Sequence, residues 1–113
     1  MRKSLYVPLH PAVISDFVQG TVEWMLEEGE ERGDWLIVEG QGSLDHPAYS
    51  SVTLGLIHGS APHAFVLCHL AGSTEVEGYP GVPLLSLPEL VDLHERISLT
   101  SRHAPVACIA LNT

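Results

Sequence analysis

Helical and strand-like patterns alternate along the whole chain, and this alternation marks an α/β protein built on a parallel sheet. Three short apolar runs, at residues 35–38, 64–69 and 106–111, have the composition of strands buried on both faces. Each run delivers a polar residue at its carboxyl end, namely Glu39, His69 and Asn112, and function in open parallel sheets collects at that rim. The expected architecture is a three-layer αβα arrangement, with helices on both faces of the sheet and the three tips facing one crevice.

The elements follow in order. Pro11 can open a first helix, in which Val13, Ile14, Phe17, Val18, Val22, Met25 and Leu26 recur at near-helical spacing up to the acidic residues 27–31. Gly33 is expected to close it, and the first strand follows at once. Asp45-His46-Pro47 then breaks the chain ahead of a short helix over 48–57, whose polar side carries Tyr49, Ser50, Ser51 and Thr53. A second break at 58–62 precedes the second strand. Residues 72–86 are rich in glycine and proline without periodicity, which reads as a loop of the kind that often forms a lid or binding segment. Ser86-Leu87-Pro88-Glu89 has capping-box spacing, and Leu87, Leu90, Val91, His94 and Ile97 share one face of the helix that follows. The third strand runs to the last residues. No helix follows to cover it, and no Gly-x-x-x-x-Gly-Lys-Ser/Thr phosphate loop is present, so residues 1–113 are expected to form part of a larger fold, with the remaining pieces on both sides.

Composition narrows the function. The 113 residues carry a net charge of −9, with Arg2, Lys3, Arg32, Arg96 and Arg102 as the fixed cations, so the footprint of a nucleic-acid or anionic-membrane binder is missing. No apolar run is long enough to span a bilayer. Cys68 and Cys108 lie within strand-like runs and read as small buried hydrophobes in a reducing compartment. The amino terminus lacks the apolar core of a signal peptide, which makes the cytoplasm the expected location and a small molecule the expected substrate.

Candidate site residues cluster after the first strand. Gly40 and Gly42 allow a tight turn and close approach of a ligand to the main chain, and Gln41 and Ser43 add polar contacts. Glu39 is a hard oxygen ligand on a rigid mount, suited to magnesium or a ligand, or else a helix-capping carboxylate. His46 can take a proton from an attacking amine, or it is a simple turn histidine. Tyr49, Ser50 and Thr53 either present hydroxyls to a substrate or solvate a helix side. His58, Cys68 and His69 lack finger-type spacing, and Cys68 should point away from His69, so no zinc site is expected there. Asp16 and Glu23, seven apart, share a helix face.

Ser15-Asp16-Phe17-Val18-Gln19-Gly20 with Glu23-Trp24, the run from Val38-Glu39-Gly40-Gln41-Gly42-Ser43-Leu44 through His46-Pro47-Ala48-Tyr49-Ser50 to Leu56-Ile57-His58-Gly59-Ser60, and Ile109-Ala110-Leu111-Asn112-Thr113 together resemble the carboxyl-terminal domain of the D-glutamate N-acetyltransferase-like family, long known as a domain of unknown function. The match covers nearly all of the chain from about Val13. It implies a P-loop NTPase-like fold, here incomplete, because the phosphate-loop strand and helix are absent and His10-Pro11 replaces an apolar-acidic pair. The strand with its Glu-Gly turn is similar to that of dethiobiotin synthetase, where the matching glutamate binds magnesium beside nucleotide phosphates. By that analogy Glu39 would hold magnesium and Asn112 would contact adenine.

The resemblance implies transfer of an acetyl group from acetyl-coenzyme A to the amino group of D-glutamate. His46 would be the base, and the backbone amides of residues 40–43 would hold the thioester oxygen. Two alternatives stand beside it. One is ATP- and magnesium-dependent chemistry of the synthetase type; the other is a catalytically silent assembly module, such as a homo-oligomer, whose sheet edge is covered by another chain.

Overall fold

A computed structural model describes residues 15–113. Its elements are α1 (Ser15–Glu30), α2 (Ser50–Ser60), β1 (Phe65–Leu70), α3 (Leu87–Ile97) and β2 (Val106–Asn112). The expected helix start at Pro11, the contributions of Val13 and Ile14, the side chain of Asp16 and the reading of the amino terminus all lie outside the described residues.

Helices α1 and α2 pack through Val18, Val22 and Leu56, with Leu26 and Val52 beside them. Two α2 glycines make this approach close. A Cβ on Gly59 would sit 2.5 Å from the Gln19 carbonyl oxygen, and one on Gly55 would sit 3.0 Å from a Val18 methyl. Small residues at these positions are therefore a packing requirement, since overlap of this kind forces the backbones apart. Phe17, grouped with the apolar face by its spacing, is exposed instead, as is Trp24. The stripe that meets α2 is narrower than the full set of apolar positions.

α1 ends before Gly33 and without using it. Arg32 donates its amide to the Gly29 carbonyl at 2.9 Å, and Gly33 is not among the positive-φ glycines. α2 ends on Ala61 in the left-handed region (φ 41°), its amide donating to the Ile57 carbonyl at 3.0 Å.

β1 and β2 form a two-stranded parallel sheet. Phe65 pairs with Val106, a register shift follows, and Leu67–Ile109, His69–Leu111 and Leu70–Asn112 continue the ladder. α3, the crossover helix, covers one face. Leu90 is buried, the Phe65 and His94 rings meet edge to face at 5.8 Å, and the Val106 amide donates to the Glu95 carboxylate at 2.9 Å. Phe65, Leu67 and His69 alternate toward this covered side, while Val66, Cys68 and Leu70 are exposed. α2 is tied to the end of α3 by His58 Nε2, 2.8 Å from the Ile97 carbonyl oxygen.

The amino end of α3 bears out its sequence signature. Ser86 and Glu89 form a reciprocal capping box with Pro88 in the first turn. Hydrogen bonds from the Ser86 hydroxyl and then from its backbone amide hold the Glu89 carboxyl below its ordinary pKa.

The expected first strand is the main correction. Residues 35–41 have no regular structure, and Trp35 and Ile37 are 82% and 94% exposed. A strand is defined by its ladder, and no strand among the described residues pairs with this segment. What stands is a small α/β unit of three helices and a two-stranded parallel sheet; the described residues do not form three layers. Cys68 and Cys108 are likewise exposed rather than buried, because they lie on the face of the sheet that no described element covers.

Candidate functional site

The turn after the apolar 35–38 segment is tightly constrained. Gly42 has φ +68°, and a Cβ there would lie 2.8 Å from the Tyr49 Cβ, so glycine is required on both conformational and steric grounds. The carbonyl of Gln41 accepts the Thr53 hydroxyl at 2.7 Å, with the Tyr49 carbonyl a second acceptor at 3.2 Å. Thr53 is only 6% exposed. Its hydroxyl therefore fastens the glycine turn to α2 and is not presented to a ligand.

Residues 43–50 form a hydrogen-bonded knot. The Ser43 hydroxyl donates to the Asp45 carboxylate, whose other oxygen accepts the Leu85 amide at 3.3 Å. Asp45 thus pins the end of the 72–86 loop to the turn. The His46 amide donates to the Ser43 carbonyl at 3.2 Å, and the His46 carbonyl accepts from the amides of Tyr49 and Ser50 at 3.3 and 3.1 Å. At the ring, the Ala48 amide donates to His46 Nδ1 at 3.1 Å. Tyr49 lies against the ring at a centroid distance of 4.6 Å, and Tyr79, from the 72–86 loop, meets it edge-on at 5.1 Å.

Gln41, Gly42, His46, Tyr49 and Glu77 line a cavity of about 290 Å³. This is at the small end for ligand sites and suits a molecule of amino-acid size. Glu77 is the one acidic residue of that lining, so the cavity favours a positively charged group.

The structure therefore gathers Gln41, Gly42, His46 and Tyr49, with Ser43 and Ser50 supporting the turn behind them. Glu39 and Gly40 are exposed and outside the cavity lining. His69 and Asn112 share the carboxyl rim of the sheet, as expected. Their side chains nonetheless fall on opposite faces, because His69 pairs with Leu111 and Asn112 with Leu70. The single crevice expected for Glu39, His69 and Asn112 is not formed: Glu39 has no strand to carry it, and pleating separates the other two. The described residues build no all-protein cage for magnesium around Glu39. The carboxylate is solvent-exposed, and the described residues contain no group of three or more His, Cys, Asp or Glu side chains placed to hold a metal ion.

Sequence reasoning missed Glu77, Tyr79 and the role of Asp45. The 72–86 segment was legible as a loop, but which of its residues reach His46 depends on the Asp45–Leu85 bond and the antiparallel Glu75–Pro83 bridge that folds the loop back. No helix of the described residues is long and apolar enough to cross a membrane.

Comparison with known proteins places these observations in a family. The profile of a domain of unknown function, the P-loop domain DUF1611_C, matches residues 5–113. A D-glutamate N-acetyltransferase of Pseudoalteromonas sp. is 40% identical over 102 residues, covering 89% of this chain and 30% of that protein. A second D-glutamate N-acetyltransferase, from Tritonibacter scottomollicae, is 44% identical over 87 residues, covering 77% of this chain and 26% of that protein. The crystal structure of a DUF1611 family protein from Anabaena variabilis superimposes with a TM-score of 0.83 at 45% identity, covering 90% of this chain and 30% of that one. The chain spans less than a third of the length of these relatives.

Proposed function

Because this chain belongs to the DUF1611 family, as its P-loop domain, we propose that it contributes the amino-acid pocket of an N-acetyltransferase that acts on D-glutamate with acetyl-coenzyme A as donor. Support comes from two relatives of that name, at 40% and 44% identity. The observation that carries the reading is the cavity itself, in which a histidine, a tyrosine and a carboxylate converge on a glycine turn.

The reaction joins the amine nitrogen to the thioester carbonyl carbon. The nitrogen lone pair forms the C–N bond, the carbon–sulfur bond breaks, and its electron pair leaves on the thiolate. One ammonium proton is lost before attack and a second from the adduct; one of these neutralises the thiolate and the other passes to solvent. Glu77 suits the ammonium end of the amino acid by charge, and the turn at 41–43 and His46 suit the oxygens.

The test measures acetyl transfer to D-glutamate by protein carrying this chain, with and without His46→Ala. A loss of at least tenfold in kcat/KM is expected. Undiminished turnover removes His46 from the site.

A second reading, nucleotide-dependent chemistry, draws on the P-loop description of the family. Calorimetry with magnesium-ATP separates the two, because acetyl transfer has no need of nucleotide.

A further inference from the structure

The Ala48 amide fixes what His46 can offer a ligand. A backbone N–H only donates, so Nδ1, 3.1 Å away, must present a lone pair, and the neutral ring then carries its proton on Nε2. A protonated Nε2 has no lone pair with which to take a proton from an ammonium group. The ring is also packed between two aromatic side chains. Tyr49 and Tyr79 contact it at 4.6 and 5.1 Å, and the His46 carbonyl is anchored by the Tyr49 and Ser50 amides. A flip about Cβ–Cγ would put a ring C–H where Nδ1 now accepts and would break the Ala48 bond.

We propose, building on the acetyl-transfer reading, that His46 serves this cavity as a neutral Nε2–H donor to an oxygen that bears or gains negative charge, and not as the proton acceptor. Two oxygens have that chemistry: a carboxylate of the amino acid, and the thioester carbonyl as the amine attacks. Hydrogen bonds to charged oxygens are the stronger ones, and loss of one donor at a developing oxyanion lowers kcat by on the order of 10²–10³. Glu77 stands in the same cavity as the group suited to the ammonium. His46 thereby becomes an oxygen-recognising residue, and the two ends of the substrate are assigned to different walls.

Two measurements test this. Ring-nitrogen NMR of protein labelled with ¹⁵N-histidine is expected to show the neutral His46 ring protonated at Nε2; protonation at Nδ1 overturns the proposal whatever the catalytic reading. In kinetics, His46→Gln keeps an N–H donor without a base, while His46→Ala keeps neither. The glutamine variant is expected to recover at least tenfold of the activity lost in the alanine variant and to retain the wild-type pH profile; no recovery overturns the donor role. A fall in kcat in the alanine variant assigns the bond to the thioester oxygen, and a rise in KM at unchanged kcat assigns it to the carboxylate. If the wild-type protein transfers no acetyl group, the catalytic reading fails, and the NMR result still decides the donor assignment.

Discussion

Gly42 and His46 show how much of the site rests on single atoms. At Gly42 a methyl group would meet the Tyr49 Cβ at 2.8 Å, on a backbone with φ +68°. Left-handed backbone strains an L-residue, and the steric overlap adds to that strain. Gly42→Ala is therefore expected to destabilise the fold by about 1–3 kcal/mol, read as a lowered urea midpoint at unchanged slope. Tyr49 would be displaced from the His46 ring in the same step. The need for glycine in this turn was legible from the Gly-Gln-Gly spacing. The identity of the residue it accommodates was not, because Tyr49 arrives through the start of α2.

α3 illustrates the element scale, where local signals were sufficient. Ser86, Pro88 and Glu89 satisfy the exposed amides of the first turn within one segment of chain, so no tertiary partner is needed to define where the helix begins. Ser86→Ala is expected to cost about 1 kcal/mol. The Glu89 half of the box adds a pH dependence. Its carboxyl is held below the ordinary value of 4.5 in the folded chain, so the folded state binds its proton less readily than the unfolded state. The contribution is then fully present above the unfolded value and is lost as pH falls through the lower folded value. Urea midpoints between neutral pH and about pH 3 check both parts, and the acid-sensitive component should shrink in the serine variant. The 35–38 segment is the opposite case. Its apolar run has strand composition, yet a strand also needs a neighbour to pair with, and that requirement is not local.

At the scale of the whole molecule, large apolar side chains stand uncovered. Trp35, Ile37, Val66, Leu70, Ile109 and Leu111 are all exposed, and apolar surface left in water is where association and dye binding occur. The chain is accordingly expected to bind an environment-sensitive dye such as anilinonaphthalene sulfonate under native conditions. Ile37→Lys should reduce that signal while changing stability by no more than about 0.5 kcal/mol, the range of surface substitutions. A weak dye signal in the wild type, together with a scattering mass above that of one chain, would instead show the surface covered by self-association.

The pattern of residues alone was enough for the α/β class, for the three helices and the β1–β2 strand pair to within a few positions, and for the turn at 40–43 together with His46. These features are set by periodicity, capping and backbone freedom, which act over a few residues. Folding in space was needed to bring Tyr79 onto His46 and Glu77 into the same cavity, to turn His69 and Asn112 to opposite faces, to bury Thr53, and to leave Glu39 in solvent. Those outcomes depend on which strands pair, in what register, and how Asp45 anchors a loop forty residues away, and contacts between distant segments leave no periodic trace in the chain.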